Sequence, residues 1–141
     1  MALRLGELST GVADRHDGRL VKLLGDGALL WFRTASSAVG ACLELLDAIP
    51  AAGLPTGHAG IDAGPVVSRD GDVYGRTVNS ASRLSDLAGP DEVLLPLALA
   101  ETLQELPRPL DVVGPMRLAG IGERLLVRVR RPSTHTRVAT R

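Results

Sequence analysis

Gly18-Arg19-Leu20-Val21-Lys22-Leu23-Leu24-Gly25-Asp26-Gly27-Ala28-Leu29-Leu30-Trp31-Phe32 is the stretch that decides the fold. Two apolar runs of strand length flank a Gly-Asp-Gly tip, a pattern that predicts a β-hairpin. Upstream, Leu5, Leu8 and Val12 recur at helical spacing, and Asp17-Gly18 is a good helix stop. Downstream, Thr34 is placed to cap a helix running to about Ile49, with Ala38, Cys42, Leu45 and Ile49 on its apolar face. Helix, hairpin, helix is the order of an α+β protein rather than of a parallel α/β sheet.

The remaining chain continues the pattern. His58 to Ile61 and Val66 to Ser68 read as short strands, followed by a turn at Arg69-Asp70-Gly71. Thr77 to Leu87 reads as a helix stopped by Gly89-Pro90, Glu92 to Leu95 as a strand and Leu97 to Leu103 as a short helix. Leu125 to Arg131 alternates as a half-buried strand does. The expected architecture is a ferredoxin-like β-α-β-β-α-β sandwich. It occupies residues 1–131, with 132–141 as a polar tail.

Composition narrows the function classes. The chain has 141 residues, 45% hydrophobic and 23% charged, the balance of a globular domain. Its 16 basic and 16 acidic residues cancel, without the basic excess expected of a nucleic-acid or anionic-membrane coat. The aromatic share of 2% supplies few platforms for base stacking. The single Cys42 forms no internal disulfide and reads as buried and inert, and His16, His58 and His135 lack metal-ligand spacing. No apolar run approaches the length of a membrane span, so the expected location is the cytoplasm.

Two sets of residues could carry chemistry. Asp26 sits at the hairpin tip between glycines, where a carboxylate can hold a hard cation such as Mg²⁺, although Asp-Gly is also an ordinary turn dipeptide. Lys22 lies four residues before it and is the only Lys among the basic residues. Further on, Asn79 and Arg83 are four apart, so a helix projects them from one face. An amide beside a guanidinium suits a sugar and a phosphate; the same spacing also describes a plain polar stripe.

These residues carry a resemblance. Gly18 to Gly27 resembles the metal-binding hairpin of the class III nucleotidyl cyclases. Gly71-Asp72-Val73-Tyr74-Gly75-Arg76-Thr77-Val78-Asn79-Ser80-Ala81-Ser82-Arg83-Leu84 resembles that family's substrate segment. His58 to Gly64 is similar to the strand before it, and Arg117 to Glu123 to the late phosphate-side loop. The resemblance implies conversion of ATP to 3′,5′-cyclic AMP and pyrophosphate with Mg²⁺ or Mn²⁺, at the interface of a homodimer or of a heterodimer with another cyclase domain. It implies that Asp26 binds metal, Lys22 and Asp72 read the purine, Asn79 orients the ribose and Arg83 stabilises charge on the α-phosphate.

Two departures shape the expectation. The family's first strand, which bears a second metal aspartate, has no counterpart in this sequence, so the sandwich is expected to lack that strand. The late loop usually offers a Lys, and Ile121 stands at the corresponding position. The alternative is therefore a catalytically impaired binding or regulatory module, or a half-site partner that lends Lys22, Asp72, Asn79 and Arg83 to another cyclase.

Overall fold

The structure is a computed structural model and describes residues 2–103, 105 and 110–130. The elements run α1 (Ala2–Arg15), β1 (Gly18–Leu24), β2 (Gly27–Phe32), α2 (Ala35–Ala51), β3 (Ala59–Gly60), β4 (Val67–Arg69), β5 (Asp72–Tyr74), α3 (Arg76–Leu87), β6 (Glu92–Pro96), α4 (Leu97–Ala100), β7 (Leu110–Leu118) and β8 (Gly122–Arg130). The decisive stretch is the hairpin that its alternation predicts. β1 and β2 pair antiparallel around a two-residue turn, Leu24 opposite Gly27, with a bulge at Val21. Gly25 opens that turn at φ 62°, a conformation glycine adopts without steric cost.

A mixed sheet in the order β3-β6-β8-β7 forms the centre, and its two faces are covered by different helices. Val93, Leu95, Val127 and Val129 meet Ala38, Val39, Leu43 and Leu46 of α2. On the other face Leu94, Leu118 and Leu126 meet Leu84 of α3. The hairpin β1–β2 is a separate two-stranded sheet, tied to the rest through α2, whose Ala41, Leu45 and Ile49 pack with Leu5 and Val12 of α1 and with Leu30 and Phe32. Thr34 caps α2 as its position predicts, its hydroxyl accepting from the Ser37 N–H at 3.1 Å. Glu44, off the apolar face, accepts from Arg15 Nε at 2.9 Å and pairs with His16 at 2.7 Å, fastening the end of α1 to α2. These partners hold the Glu44 carboxyl below the usual carboxylate range, the Arg15 hydrogen bond contributing most. Burial pushes the Cys42 thiol up to about 12, consistent with an inert side chain.

The structure adds to the sequence reading at three points and shortens one expected helix. β7, a nine-residue strand, is an element that the periodicity did not reveal: Gly114 and Pro115 interrupt its alternation, and a bulge between Val112 and Gly114 absorbs them. The expected helix over Leu97 to Leu103 ends at Ala100 and continues only as a turn. The strand expected at Val66 to Ser68 is Val67–Arg69, and it pairs with Asp72–Tyr74 around Asp70-Gly71 as a second small hairpin outside the central sheet. In the half-buried strand expected from Leu125, Leu125 is 50% exposed and Leu126 fully buried, because α3 covers the Leu126 side of β8. The polar tail at 132–141, Arg131 and His135 lie outside the described residues.

α3 needs a closer account because it bears two of the predicted site residues. It is mostly polar, and only Ser80 and Leu84 are buried. Burying one leucine is worth about 2 kcal/mol, too little to hold a short helix that is marginal in isolation. Two further devices hold it. The first is Gly60: a Cβ there would lie 2.2 Å from the Ser85 nitrogen and 2.4 Å from the Ala81 oxygen, so the backbone of α3 rests directly on β3. The second is a polar clasp. Arg124 of β8 donates from Nη1 to Asp62 Oδ2 at 2.7 Å and to Ser80 Oγ at 3.0 Å. The Asp62 side chain is 7% exposed and that of Arg124 31%, so the carboxylate of the clasp is shielded while its guanidinium stays partly open to solvent.

Candidate active site

β1 and β5 lie side by side, and this juxtaposition brings together residues that the sequence separates. Lys22 Nζ donates to Asp72 Oδ2 at 2.9 Å across 50 residues of chain. The second small hairpin is held in place by Arg19, whose Nη1 donates to the Gly71 carbonyl at 3.2 Å. Asp72 also accepts from the Val73 N–H at 2.8 Å. The Lys22 ammonium, followed by that backbone N–H, holds the Asp72 carboxyl below the usual carboxylate range against the opposing cost of desolvation. At neutral pH the corner therefore offers an ammonium donor and an ionised acceptor. Three N–H bonds on Lys22 and two lone pairs on each Asp72 oxygen leave capacity for a ligand while the pair stays intact.

Asn79 and Arg83 project from α3 one turn apart and are exposed. Among the described residues neither side chain has a hydrogen-bond or ion-pair partner. Only Gly75 separates β5 from their helix, so the Lys22–Asp72 corner and the Asn79–Arg83 face are consecutive stations along one continuous segment. Asp26 is exposed at the tip of the β1–β2 turn. Its carboxylate is a hard oxygen donor of the type Mg²⁺ and Mn²⁺ accept, but among the described residues no three acidic, His or Cys side chains gather into a metal-holding group. Asp26 thus fits as one ligand, and the described residues do not by themselves complete a metal centre.

Sequence reasoning missed Asp62, Ser80, Arg124 and Arg76. Asp62 and Ser80 lie inside quoted segments without a role attached, and only the fold shows that Arg124 shares a strand face with Leu126 beneath α3. Arg76 donates from Nη2 to the Ile121 carbonyl at 3.0 Å, linking the start of α3 to the β7–β8 turn. His16 is engaged by Glu44, and His58 Nδ1 lies 3.4 Å from Ser85 Oγ.

Comparison with known proteins meets the same geometry from outside. No family model matches. The chain is 40% identical over 107 residues to an adenylate cyclase of Streptomyces coelicolor, covering 70% of this chain and 28% of that protein. It is 34% identical over 122 residues to the pH-sensitive adenylate cyclase MT1302 of Mycobacterium tuberculosis, covering 82% of this chain and 31% of that protein. In three dimensions it superposes on an adenylate/guanylate cyclase/hydrolase from Silicibacter pomeroyi with a TM-score of 0.78 and 25% identity, over 93% of this chain and 81% of that one. The chain belongs to the class III nucleotidyl cyclases. The catalytic core of a rhodopsin-guanylyl cyclase, at 20% identity and a TM-score of 0.75, shares the fold. The chain spans less than a third of the length of these two curated relatives. No helix among the described residues of this cyclase domain is long and apolar enough to cross a membrane.

Proposed function

We propose that the chain supplies the purine-reading and transition-state side of a class III cyclase site that converts ATP to 3′,5′-cyclic AMP and pyrophosphate. The observation that carries this is the Lys22–Asp72 contact at 2.9 Å, continuous with the Asn79–Arg83 face, which is unpaired among the described residues. On the adenine edge, the Lys22 ammonium would donate to the ring nitrogen and Asp72 would accept from the exocyclic amine. Guanine presents the opposite polarity, which favours ATP. Asn79 would hold the ribose so that its 3′-oxygen lies in line with the α-phosphorus. As the new ester bond forms and the bond to the bridging oxygen breaks, pyrophosphate departs. Negative charge on the α-phosphate oxygens grows, and the Arg83 guanidinium is placed to stabilise it. A Mg²⁺ or Mn²⁺ held by carboxylates of the partner domain would neutralise triphosphate charge at this site, and Asp26 of this chain would lend one metal ligand to the other site of the dimer.

The partner is read as a second cyclase domain, identical or not. Leu24 and Tyr74, 53% and 47% exposed, lie on the strands that carry Lys22 and Asp72, and Val67, 59% exposed, is paired with Tyr74 on β4; together they form an apolar rim that a partner subunit would cover. The half-site reading draws on the solitary position of Asp26 among the described residues. It requires metal ligands from the partner. The test mixes this chain with a cyclase domain disabled in its own purine and transition-state residues and measures cyclic AMP from ATP with Mn²⁺. Product from the mixture but from neither component establishes the half-site. Product from this chain alone establishes a complete enzyme. Absence of product in both, with no binding of an ATP analogue, overturns the proposal.

A further inference from the structure

A cleft of about 590 Å³ opens beside the first turn of α3, between the loop after β3 and the β7–β8 turn. Its walls include Asp62, Arg76, Thr77, Ser80, Ile121 and Arg124. The charges there do not balance. Asp62 and Arg124 neutralise one another at 2.7 Å, and Arg124 is further engaged by Ser80. Thr77 spends its hydroxyl proton on the Pro65 carbonyl at 2.9 Å. Arg76 alone brings uncompensated charge: it has no carboxylate partner among the described residues, and its one contact there is to a neutral carbonyl, that of Ile121. Most of its five N–H donors remain open in a fork that matches phosphate oxygens.

The position of Arg76 on the helix says which anion. Arg76, Asn79 and Arg83 stand at i, i+3 and i+7 of one continuous helix, so they share a single stripe. Arg76 and Arg83 are rooted about 10 Å apart along the axis, and two long guanidinium arms from those roots can converge on the two ends of one short polyanion. An isolated phosphate or a carboxylate would need only one of them. We infer that Arg76 binds the terminal phosphates of a nucleoside triphosphate whose α-phosphate lies at Arg83, with the cleft receiving the end of the polyphosphate tail. The inference rests on the reading of the Asn79–Arg83 face as substrate-facing. It assigns the cation of the β7–β8 corner to α3, where the turn itself contributes only the Ile121 carbonyl as an anchor for the guanidinium.

Calorimetric titration of the full chain tests this with three probes: 3′-deoxy-ATP, which cannot cyclise, AMP, and inorganic tripolyphosphate. The wild-type chain should bind 3′-deoxy-ATP more tightly than AMP. Arg76→Ala should weaken 3′-deoxy-ATP by about tenfold or more, the scale of a lost charge-assisted hydrogen bond, and abolish tripolyphosphate binding while leaving AMP unchanged. Arg76→Lys should recover part of the loss. Undiminished 3′-deoxy-ATP binding by Arg76→Ala overturns the inference and leaves the proposed function standing. An equal loss of AMP binding makes Arg76 structural and overturns it as well. Failure of the wild-type chain to bind either nucleotide overturns both.

Discussion

The two stations of the candidate site are built in opposite ways. At the corner, Lys22 and Asp72 satisfy one another at 2.9 Å, and each hairpin positions the other. On α3, Asn79 and Arg83 face outward with no side-chain partner among the described residues, and everything that fixes them lies underneath, in Gly60, Leu84 and the Asp62–Arg124–Ser80 clasp. A self-satisfied pair has a defined geometry before any ligand arrives and changes little when it is shared. An unpaired amide and guanidinium gain their partners only from a ligand, so their full interaction energy is available to a charge that develops during reaction. The corner is suited to selection, and the helix face to rate.

That contrast can be broken in order of effect. Arg83→Ala should lower cyclic AMP formation by about 10²–10³-fold in the mixed dimer with little change in melting temperature, because the side chain supports no other part of the fold. An equally large fall in KM-controlled rates alone would move Arg83 to ground-state binding. Gly60→Ala should destabilise the domain by about 1–3 kcal/mol in urea unfolding, since a methyl at that point drives α3 off β3. It should also impair turnover without altering any residue of the face. Asp72→Ala should raise KM for ATP by about tenfold, leave kcat nearly unchanged, and narrow the preference for ATP over GTP. A fall in kcat instead would show that the corner acts in the transition state. Asp26→Ala in the same mixed dimer should leave activity unchanged. A loss comparable to that of Arg83→Ala would place a working metal ligand on this chain and remove the half-site reading.

How much of this the amino-acid order reveals follows the range of the interactions. The β1–β2 hairpin, the cap at Thr34 and the boundaries of α3 depend on neighbours within a few residues, and the pattern shows each of them. β7 is also local, but Gly114 and Pro115 erase its alternation, and it is recognisable only once β8 lies beside it. The fastening of α3 is not local at all. Asp62 and Arg124 are 62 residues apart, and an arginine in an alternating strand is by itself an ordinary solvent-facing residue until a helix covers that face. For the site, helical spacing places Asn79 beside Arg83. The partnership of Lys22 with Asp72 became legible through family resemblance, because no periodicity links positions 50 residues apart.

The exposure of the corner has a consequence for the medium in which the domain works. The Lys22 and Asp72 side chains are 42% and 23% exposed, whereas in the pair that anchors α3 Arg124 is 31% and Asp62 only 7% exposed. Mobile ions screen accessible charges over a distance of about 8 Å at physiological ionic strength and reach shielded pairs far less. Added salt therefore loosens the base-reading corner while the carriage of Asn79 and Arg83 holds its register. Discrimination between purines and the speed of cyclisation should accordingly respond to ionic strength as separate variables, the first softening while the second, measured at saturating nucleotide, stays level.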